Sequence, residues 1–165
     1  MTFDNSKTII GFRIRLFFVT LIALAWIAIV YLIKLIKFPL LGIDDGIWTL
    51  AVIILWAIVA FMPMIRNFQF VFFSDDGENI VFRYFNAGIV GGKKNSVEIN
   101  KRAFAGYATE TKMMGLSRSI TLYQQVGQGT AKYPPLHITA LNKDQRNKLF
   151  HALDGYTGKR ETTTL

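Results

Sequence analysis

The sequence predicts a helical membrane hairpin followed by an all-β barrel or sandwich that is capped by one C-terminal α-helix. Three observations predict it: two apolar runs without a charged residue at positions 16–33 and 47–65, strand-like alternation from residue 67, and an amphipathic stripe near the C-terminus. At about 1.5 Å of rise per residue, a helix over either run spans roughly 27–29 Å, close to the ~30 Å hydrocarbon core of a bilayer.

The first apolar run predicts a helix over about residues 11–38, which Pro39 and Gly42 end. A polar turn follows, and either Asp44 or Asp45 is expected to cap the second helix, because a carboxylate there accepts hydrogen bonds from unpaired backbone N–H groups. A cleaved signal peptide is the alternative interpretation of the first run. We favour an uncleaved span, because the run is longer than a signal-peptide core and no small-residue cleavage site follows it.

Basic residues around the two runs predict the orientation of the hairpin. Arg13 and Arg15 precede the first run and Arg66 follows the second, whereas Lys34 and Lys37 lie in the connecting loop with two aspartates. Basic residues near helix ends favour the cytoplasmic side of a membrane, and both ends of a two-helix hairpin lie on the same side. We therefore expect a multi-pass protein with both termini in the cytoplasm. The formal net charge of +8 suits an anionic lipid surface.

The period of the apolar residues changes from helical to strand-like after residue 66. Side chains alternate over residues 68–73, an acidic turn follows at 74–79, and residues 80–85 alternate again, which is a hairpin pattern. Shorter stretches predict further strands over residues 96–101, 103–111, 118–125 and 136–141. A turn with two methionines is expected at 112–116 and a loop at 126–132.

The C-terminal element carries clear helix signals. Asn142 suits the N-cap position and Gln145 completes a capping-box pair, so a helix is predicted over residues 143–154. Leu149 and Leu153 lie on one face of this helix. Their stripe is expected to cover an open end or face of the sheet.

Short antiparallel strands closed by one C-terminal helix, directly after a membrane hairpin, form a layout that resembles the bacterial PH-like (pleckstrin-homology-like) membrane proteins. The matching stretches are residues 68–85, 96–110 and 136–154. The resemblance implies a PH-like barrel at the bacterial inner (cytoplasmic) membrane, with a scaffold or interaction role and no general enzymatic activity. The acidic turn at 75–78 departs from phosphoinositide-binding PH domains, whose first hairpin is basic.

The chain is therefore expected to comprise four segments. They are an N-terminal cytoplasmic segment (1–11), a two-helix transmembrane hairpin (12–66), a PH-like β domain with its C-terminal helix (67–156) and a flexible tail (157–165). We expect the first segment to be loose or interfacial, because it is mostly polar.

Few residues offer catalytic or metal-binding chemistry. There is no cysteine, which excludes disulfides, thiolate metal sites and cysteine nucleophiles. His137 and His151 share no short ligand spacing with each other or with a carboxylate. We expect no catalytic residue, no metal and no cofactor. Nucleic acid is not an expected partner, because the basic residues are scattered and form no stripe with interleaved aromatics.

A glycine- and lysine-rich loop is the best candidate for contact with an anion or a lipid headgroup. Successive glycine N–H groups can form a concave nest, lysines supply positive charge, and further basic residues are expected to form a rim beside it. The residues are Gly91, Gly92, Lys93 and Lys94, with Lys101, Arg102, Lys112 and Arg118 in the rim. The alternative is a plain solvated loop, since the P-loop pattern is absent.

The first strand of the β domain is the candidate for partner contact, because it is apolar on both faces. A core needs one face, so the other is left for the bilayer surface, a protein partner, a second copy of the chain or the chain's own elements such as the transmembrane hairpin. The residues are Phe68, Phe70, Phe72 and Phe73.

These features lead us to expect a non-enzymatic inner-membrane scaffold whose β domain binds protein partners or assembles in a homo- or hetero-oligomeric membrane complex. The alternative is a module that binds lipid headgroups or a small ligand at the membrane surface. A membrane enzyme would need a polar pocket in which His137 converges with a carboxylate.

Overall fold

The structure is a computed structural model that describes residues 1–87 and 92–157. The chain divides into two compact units. Residues Ile10–Ile65 form the hairpin unit, and residues Met1–Ile9 together with the chain from Arg66 onward form the sheet unit. Residues Met1–Ile9 therefore belong to the same compact unit as the sheets.

The hairpin unit consists of two helices joined by an irregular loop. Helix α1 covers Ser6–Ile27 and continues as a π-helical stretch over Ala28–Leu32, and helix α2 covers Asp45–Ile65. The first helix begins and ends earlier than the predicted 11–38, and soon after its end Lys34 adopts a left-handed φ of 53° that a helix cannot contain. Both helices are long and apolar enough, in length and composition, to cross a membrane.

Hydroxyl and indole groups join the two helices of the hairpin unit. Trp56 donates from Nε1 to Thr20 Oγ1 at 3.0 Å. Trp26 Nε1 and the Tyr31 hydroxyl both donate to Thr49 Oγ1, at 3.2 and 3.0 Å. Such polar contacts hold helices together where water is scarce, and here they define the antiparallel register of the two helices.

The sheet unit contains two antiparallel sheets. In the first sheet the order is β1 (Thr2–Asp4), β2 (Gln69–Ser74), β3 (Asn79–Asn86) and β4 (Asn95–Asn100). The predicted first hairpin is confirmed as β2 and β3. Gly77 in their connecting turn has a φ of 78°, which glycine adopts without steric cost.

The second sheet is built around one long central strand. Strands β5 (Phe104–Lys112), β6 (Ser117–Val126) and β7 (Gly129–Lys132) lie in order, and the short β8 (Leu136–His137) also pairs with β6. Among the described residues no ladder joins one sheet to the other, so the sheets are not closed into the expected barrel.

The hydrophobic core of the sheet unit is built from residues of both sheets and of the last helix. Phe73 and Phe82 are completely buried, with ring centroids 5.0 Å apart. Helix α3 (Lys143–Tyr156) adds Leu149 and Leu153, which are also completely buried. The predicted role of this apolar stripe, to cover the sheet, is confirmed.

The predicted capping box of α3 is also present. Asn142 Oδ1 accepts from the Gln145 N–H at 2.8 Å, and the Asn142 N–H donates to Gln145 Oε1 at 3.0 Å. At the other end of the helix, the hydroxyl of Tyr107 in β5 donates to Asp154 Oδ1 at 2.6 Å. Burial and this hydrogen bond raise the pKa of Tyr107, so its hydroxyl stays protonated and joins the second sheet to α3.

Asn5 connects β1 to α1 and is completely buried. Its Oδ1 accepts from the Val71 N–H at 2.9 Å and its Nδ2 donates to the Gln69 carbonyl at 2.9 Å, so the side chain extends the ladder between β1 and β2. Its carbonyl accepts the N–H of Ile9 at 3.2 Å, in the first turn of α1. The expectation that residues 1–11 are loose is therefore wrong, because this polar segment pairs with a strand far away in the sequence.

Two further segments differ from the prediction. The segment 126–132 contains β7 in place of a loop, because Gly127 at a φ of 59° allows a tight turn after β6. The strand predicted over 136–141 stops at His137, and the backbone beyond it folds into a turn closed by the Leu141 N–H.

Candidate functional site

The glycine- and lysine-rich loop lies only partly among the described residues. Gly91 is outside them, whereas the next three residues are placed. Gly92 donates its N–H to the Asn86 carbonyl at 3.2 Å, and a Cβ on Gly92 would lie 2.8 Å from the Asn86 Cβ, closer than side-chain carbons approach. Lys93 and Lys94 are exposed, so two positive charges stand in solvent just before β4.

Two basic residues of the predicted rim lie at the opposite end of β4. Lys101 and Arg102 follow the six-residue strand, which at about 3.3 Å per residue separates them from the loop by roughly 20 Å. The structure therefore does not bring these two rim residues together with the loop. Arg102 is exposed, and its backbone N–H donates to Asn100 Oδ1 at 3.0 Å.

Lys101 instead closes the turn between β2 and β3. Its Nζ donates to the carbonyls of Asp75 and Gly77 at 2.6 and 2.7 Å, and lies 5.1 Å from the centroid of the Tyr156 ring. These contacts use the ammonium group to hold the fold. The group is thus already engaged and would have to leave these partners to contact a headgroup.

The acidic side chains of the same turn are also engaged. Asp75 accepts from the Tyr156 hydroxyl at 3.0 Å. Asp76 accepts from the Met1 ammonium at 2.7 Å and from the Thr2 hydroxyl, and these hydrogen bonds hold the pKa of Asp76 at about 2. The carboxylates that distinguish this turn from a basic phosphoinositide site therefore contact the N-terminal segment.

The phenylalanines of β2 lie on two faces. Phe73 is completely buried in the core and offers no surface to a partner. Phe68, Phe70 and Phe72 lie on the other face, are half-buried, and are called the aromatic face below. Phe70 stacks on Phe85 with 4.8 Å between centroids, and it packs with Phe68 against a small second cluster of buried residues.

Phe72 occupies the end of the aromatic face. The Arg83 guanidinium carbon lies 5.8 Å from the centroid of its ring. An arginine above a half-buried aromatic ring combines the two residue types that are enriched at interface hot spots. Phe70 is therefore covered by the chain's own residues. Phe72 lies beside the exposed Arg83 and is the residue of this face that suits contact with a partner.

An open cleft beside α3 did not emerge from the sequence. It has a volume of about 620 Å³. The lining residues are Met1, Asp75, Asn147, Lys148, His151, Ala152, Gly155 and Tyr156. They come from the N-terminus, the β2–β3 turn and α3, so no local motif could have revealed the cleft. Its lining combines the positive charge of Lys148 and the negative charge of Asp75 with the imidazole of His151.

The two histidines lie on separate elements. His137 in β8 is half-buried, and its Nδ1 has no hydrogen-bond partner among the described residues. Burial and the nearby charge of Lys112 lower the pKa of His137, so the ring is neutral at pH 7. His151 is exposed on α3. In the described ranges no group of three or more metal-ligating side chains could hold an ion.

Comparisons with protein-family models, with curated proteins and with solved structures found no match to this chain. Its function is therefore inferred from the placement and chemistry of its own residues.

Proposed function

We propose that the protein is a non-enzymatic scaffold of the bacterial inner membrane. The hairpin unit crosses the bilayer twice, and the sheet unit is a PH-like interaction module on the cytoplasmic side. Its partners are other subunits of a membrane complex or further copies of the same chain. The observation that carries this proposal is an outwardly apolar hairpin whose two ends both lead into one folded unit.

The surface of the hairpin unit supports insertion into a membrane. Large apolar side chains are exposed on both helices, including Phe17 at 61%, Leu24 at 59% and Leu55 at 62%. Exposing such surface to water costs about 25 cal/mol per Å², whereas hydrocarbon solvates it without this cost. The threonine hydroxyls meanwhile accept hydrogen bonds between the helices, as membrane interiors require.

The connection of the two units supports placing both termini on one side. Residues Met1–Ile9 and the chain from Arg66 onward belong to the same folded unit. A hairpin that crosses a bilayer twice keeps these two parts together. The basic side chains of Arg13, Arg15 and Arg66 near the two ends favour the cytoplasmic side for that unit.

Two surface features support an interaction role for the sheet unit. The aromatic face offers Phe72 beneath Arg83, and Lys93 and Lys94 add exposed positive charge. Two antiparallel sheets followed by a capping helix also agree with the layout of PH-like modules, which supports the assignment of a binding role over catalysis.

A second candidate function is a module that binds lipid headgroups or a small ligand. The open cleft of about 620 Å³ beside Lys148 and His151 favours it. In this case the purified chain would bind anionic vesicles or a small anion through the sheet unit without any protein partner.

Membrane extraction followed by co-purification tests the leading proposal. The full chain, tagged after its last residue so that β1 stays undisturbed, should resist carbonate and need detergent for release. Mild-detergent purification should then recover defined partner chains or an oligomer with the wild type and lose them with Phe72→Ser. Tyr123→Ser, at another half-buried aromatic position, is the matched control and should keep them.

Two results would contradict the proposal. Release of the intact chain by carbonate alone would remove the membrane anchor. A monomer without partners that binds anionic vesicles through the sheet unit would favour the second candidate.

A further inference from the structure

The turn between β5 and β6 exposes three large apolar side chains to solvent. Met113 is 54% exposed, Met114 is fully exposed and Leu116 is 46% exposed. Together with Gly115 they form what we call the 113–116 turn. The sheet unit buries most of its other large apolar residues, so this concentration on four residues needs an explanation.

The backbone of the 113–116 turn holds these side chains outward. Leu116 donates its N–H to the Met113 carbonyl at 3.1 Å, and Met114 and Gly115 between them have φ values of 54° and 91°. Positive φ at both central positions defines the tight turn that matches the twist of a hairpin. Glycine or asparagine is the usual residue there, so methionine at position 114 is not explained by turn conformation.

Arg66 places the 113–116 turn at one particular end of the sheet unit. Its Nε donates to the Leu116 carbonyl in a long hydrogen bond of 3.5 Å. Arg66 directly follows Ile65, the last residue of α2. The exposed turn therefore lies beside the residue at which the chain leaves the second apolar helix.

Basic side chains flank the 113–116 turn. Lys112 and Arg118 lie on either side of it and are exposed, and Arg66 adds a third positive charge. Lys112 Nζ pairs with Glu110 at 3.1 Å, but both of these side chains are more than half exposed. In the interfacial layer of a membrane, acyl chains lie beneath anionic headgroups. Exposed apolar side chains surrounded by basic ones suit this layer, because the apolar groups can contact the acyl chains and the basic groups the headgroups.

We propose that the 113–116 turn inserts Met113, Met114 and Leu116 into the interfacial layer of the same membrane that holds the hairpin unit. Arg66, Lys112 and Arg118 then face anionic lipid headgroups. The inference rests on the proposed membrane anchoring and adds a second contact with the bilayer. This contact would fix how the sheet unit is oriented, and hence which of its surfaces stay available to partners.

Site-specific labelling of the full chain tests the inference. Because the natural sequence has no cysteine, Met114→Cys can carry a single environment-sensitive fluorophore. The protein is reconstituted in vesicles of phosphatidylethanolamine and phosphatidylglycerol that contain a lipid with a shallow nitroxide quencher. We expect strong quenching at position 114, at a depth of roughly 5–10 Å below the surface.

Two further labels serve as controls. Val126→Cys lies at the β6–β7 turn, where the natural valine is 59% exposed. This turn is outside the proposed membrane contact, so a label there should not be quenched. Leu24→Cys, in the middle of the first apolar run, should be quenched by lipids that carry the nitroxide deep in the acyl chain. Arg118→Glu should reduce quenching at position 114, while Lys132→Glu on β7 should leave it unchanged.

The controls separate failure of this inference from failure of the proposed function. Quenching at position 24 without quenching at position 114 would overturn the inference and leave the membrane anchor intact. A label at position 114 that is shielded from aqueous iodide but not quenched by lipid would show cover by protein, which also overturns it. Absence of quenching at position 24 would overturn the proposed anchoring and this inference together.

Discussion

The hairpin unit and the sheet unit place their large apolar side chains in opposite ways, exposed in the first and buried in the second. Between the two helices lie the hydroxyls of Thr20 and Thr49, while residues such as Leu24 face outward. In the sheet unit, Phe73 and Phe82 are inside. A folded unit buries what its surroundings solvate least, so the contrast is the one that the proposed membrane hairpin and water-facing sheet unit would show.

The largest expected difference comes from removing a phenylalanine ring in each unit. Phe73→Ala leaves a cavity in a fully buried position and should lower the free energy of unfolding of the sheet unit by about 3–5 kcal/mol. Phe17→Ala, at a 61% exposed position of α1, leaves no cavity and should leave the free energy of unfolding of the hairpin unit nearly unchanged. Urea unfolding of the full chain in mild detergent measures both. Equal losses would contradict the contrast between the units.

Asn5 is the most deeply buried polar side chain among the described residues of the sheet unit. Asn5→Ala leaves the Val71 N–H and the Gln69 carbonyl without their side-chain partner in a buried place, which should cost about 1–3 kcal/mol. Hydrogen exchange of the Val71 amide should accelerate, and Asn147→Ala, at an exposed position, is the control that should not change it. Unchanged exchange in the Asn5 variant would mean that β1 does not depend on this residue.

Thr49 tests the polar contacts between the two helices of the hairpin unit. Thr49→Val removes the acceptor of Trp26 and Tyr31 and should weaken helix association by about 1 kcal/mol, since each such bond contributes roughly 0.6 kcal/mol in a membrane. Thr49→Ser keeps the hydroxyl and should behave like the wild type. Energy transfer between labels on the two helices, followed during detergent titration, measures the association. Wild-type association of the Thr49→Val helices would show that these hydroxyl contacts do not hold the hairpin together.

The smallest effect is a pH dependence confined to the sheet unit. The folded state raises the pKa of Tyr107 through burial and the bond to Asp154. Above about pH 10 the unfolded chain loses this proton while the folded chain keeps it, so stability should fall as pH rises further. Tyr107→Phe should remove that part of the fall. The measurement is the midpoint of unfolding between about pH 9 and pH 11, a range centred on the ordinary tyrosine pKa of ~10.

The sequence predicted the elements whose signals are local. Two uncharged runs of helical length identified both helices of the hairpin, and the pair Asn142 and Gln145 placed the start of α3 because a capping box is a short-range pattern. The alternation on either side of an acidic turn likewise identified β2 and β3.

The differences arise where long-range contacts decide. Residues Thr2–Asp4 carry no apolar alternation, and only their pairing with β2 makes them a strand. Lys93 and Lys101 are near in sequence but lie at opposite ends of β4, because an extended strand carries neighbours apart. The cleft beside α3 joins residues from three distant parts of the chain, and Phe73 could be assigned to the core only once the buried face of β2 was known.

The pairing of β1 with β2 has a consequence for biosynthesis. Residues Thr2–Asp4 are made before both apolar helices, but their partners Phe72–Ser74 are made only after them. In a chain inserted into a bilayer, a first helix threaded in the wrong direction would leave Thr2–Asp4 on the far side. The edge of β2 would then stay open, as a template for aggregation and a mark for proteolysis. In a chain with the proposed topology, closure of this edge would therefore require that the first helix has crossed in the right direction.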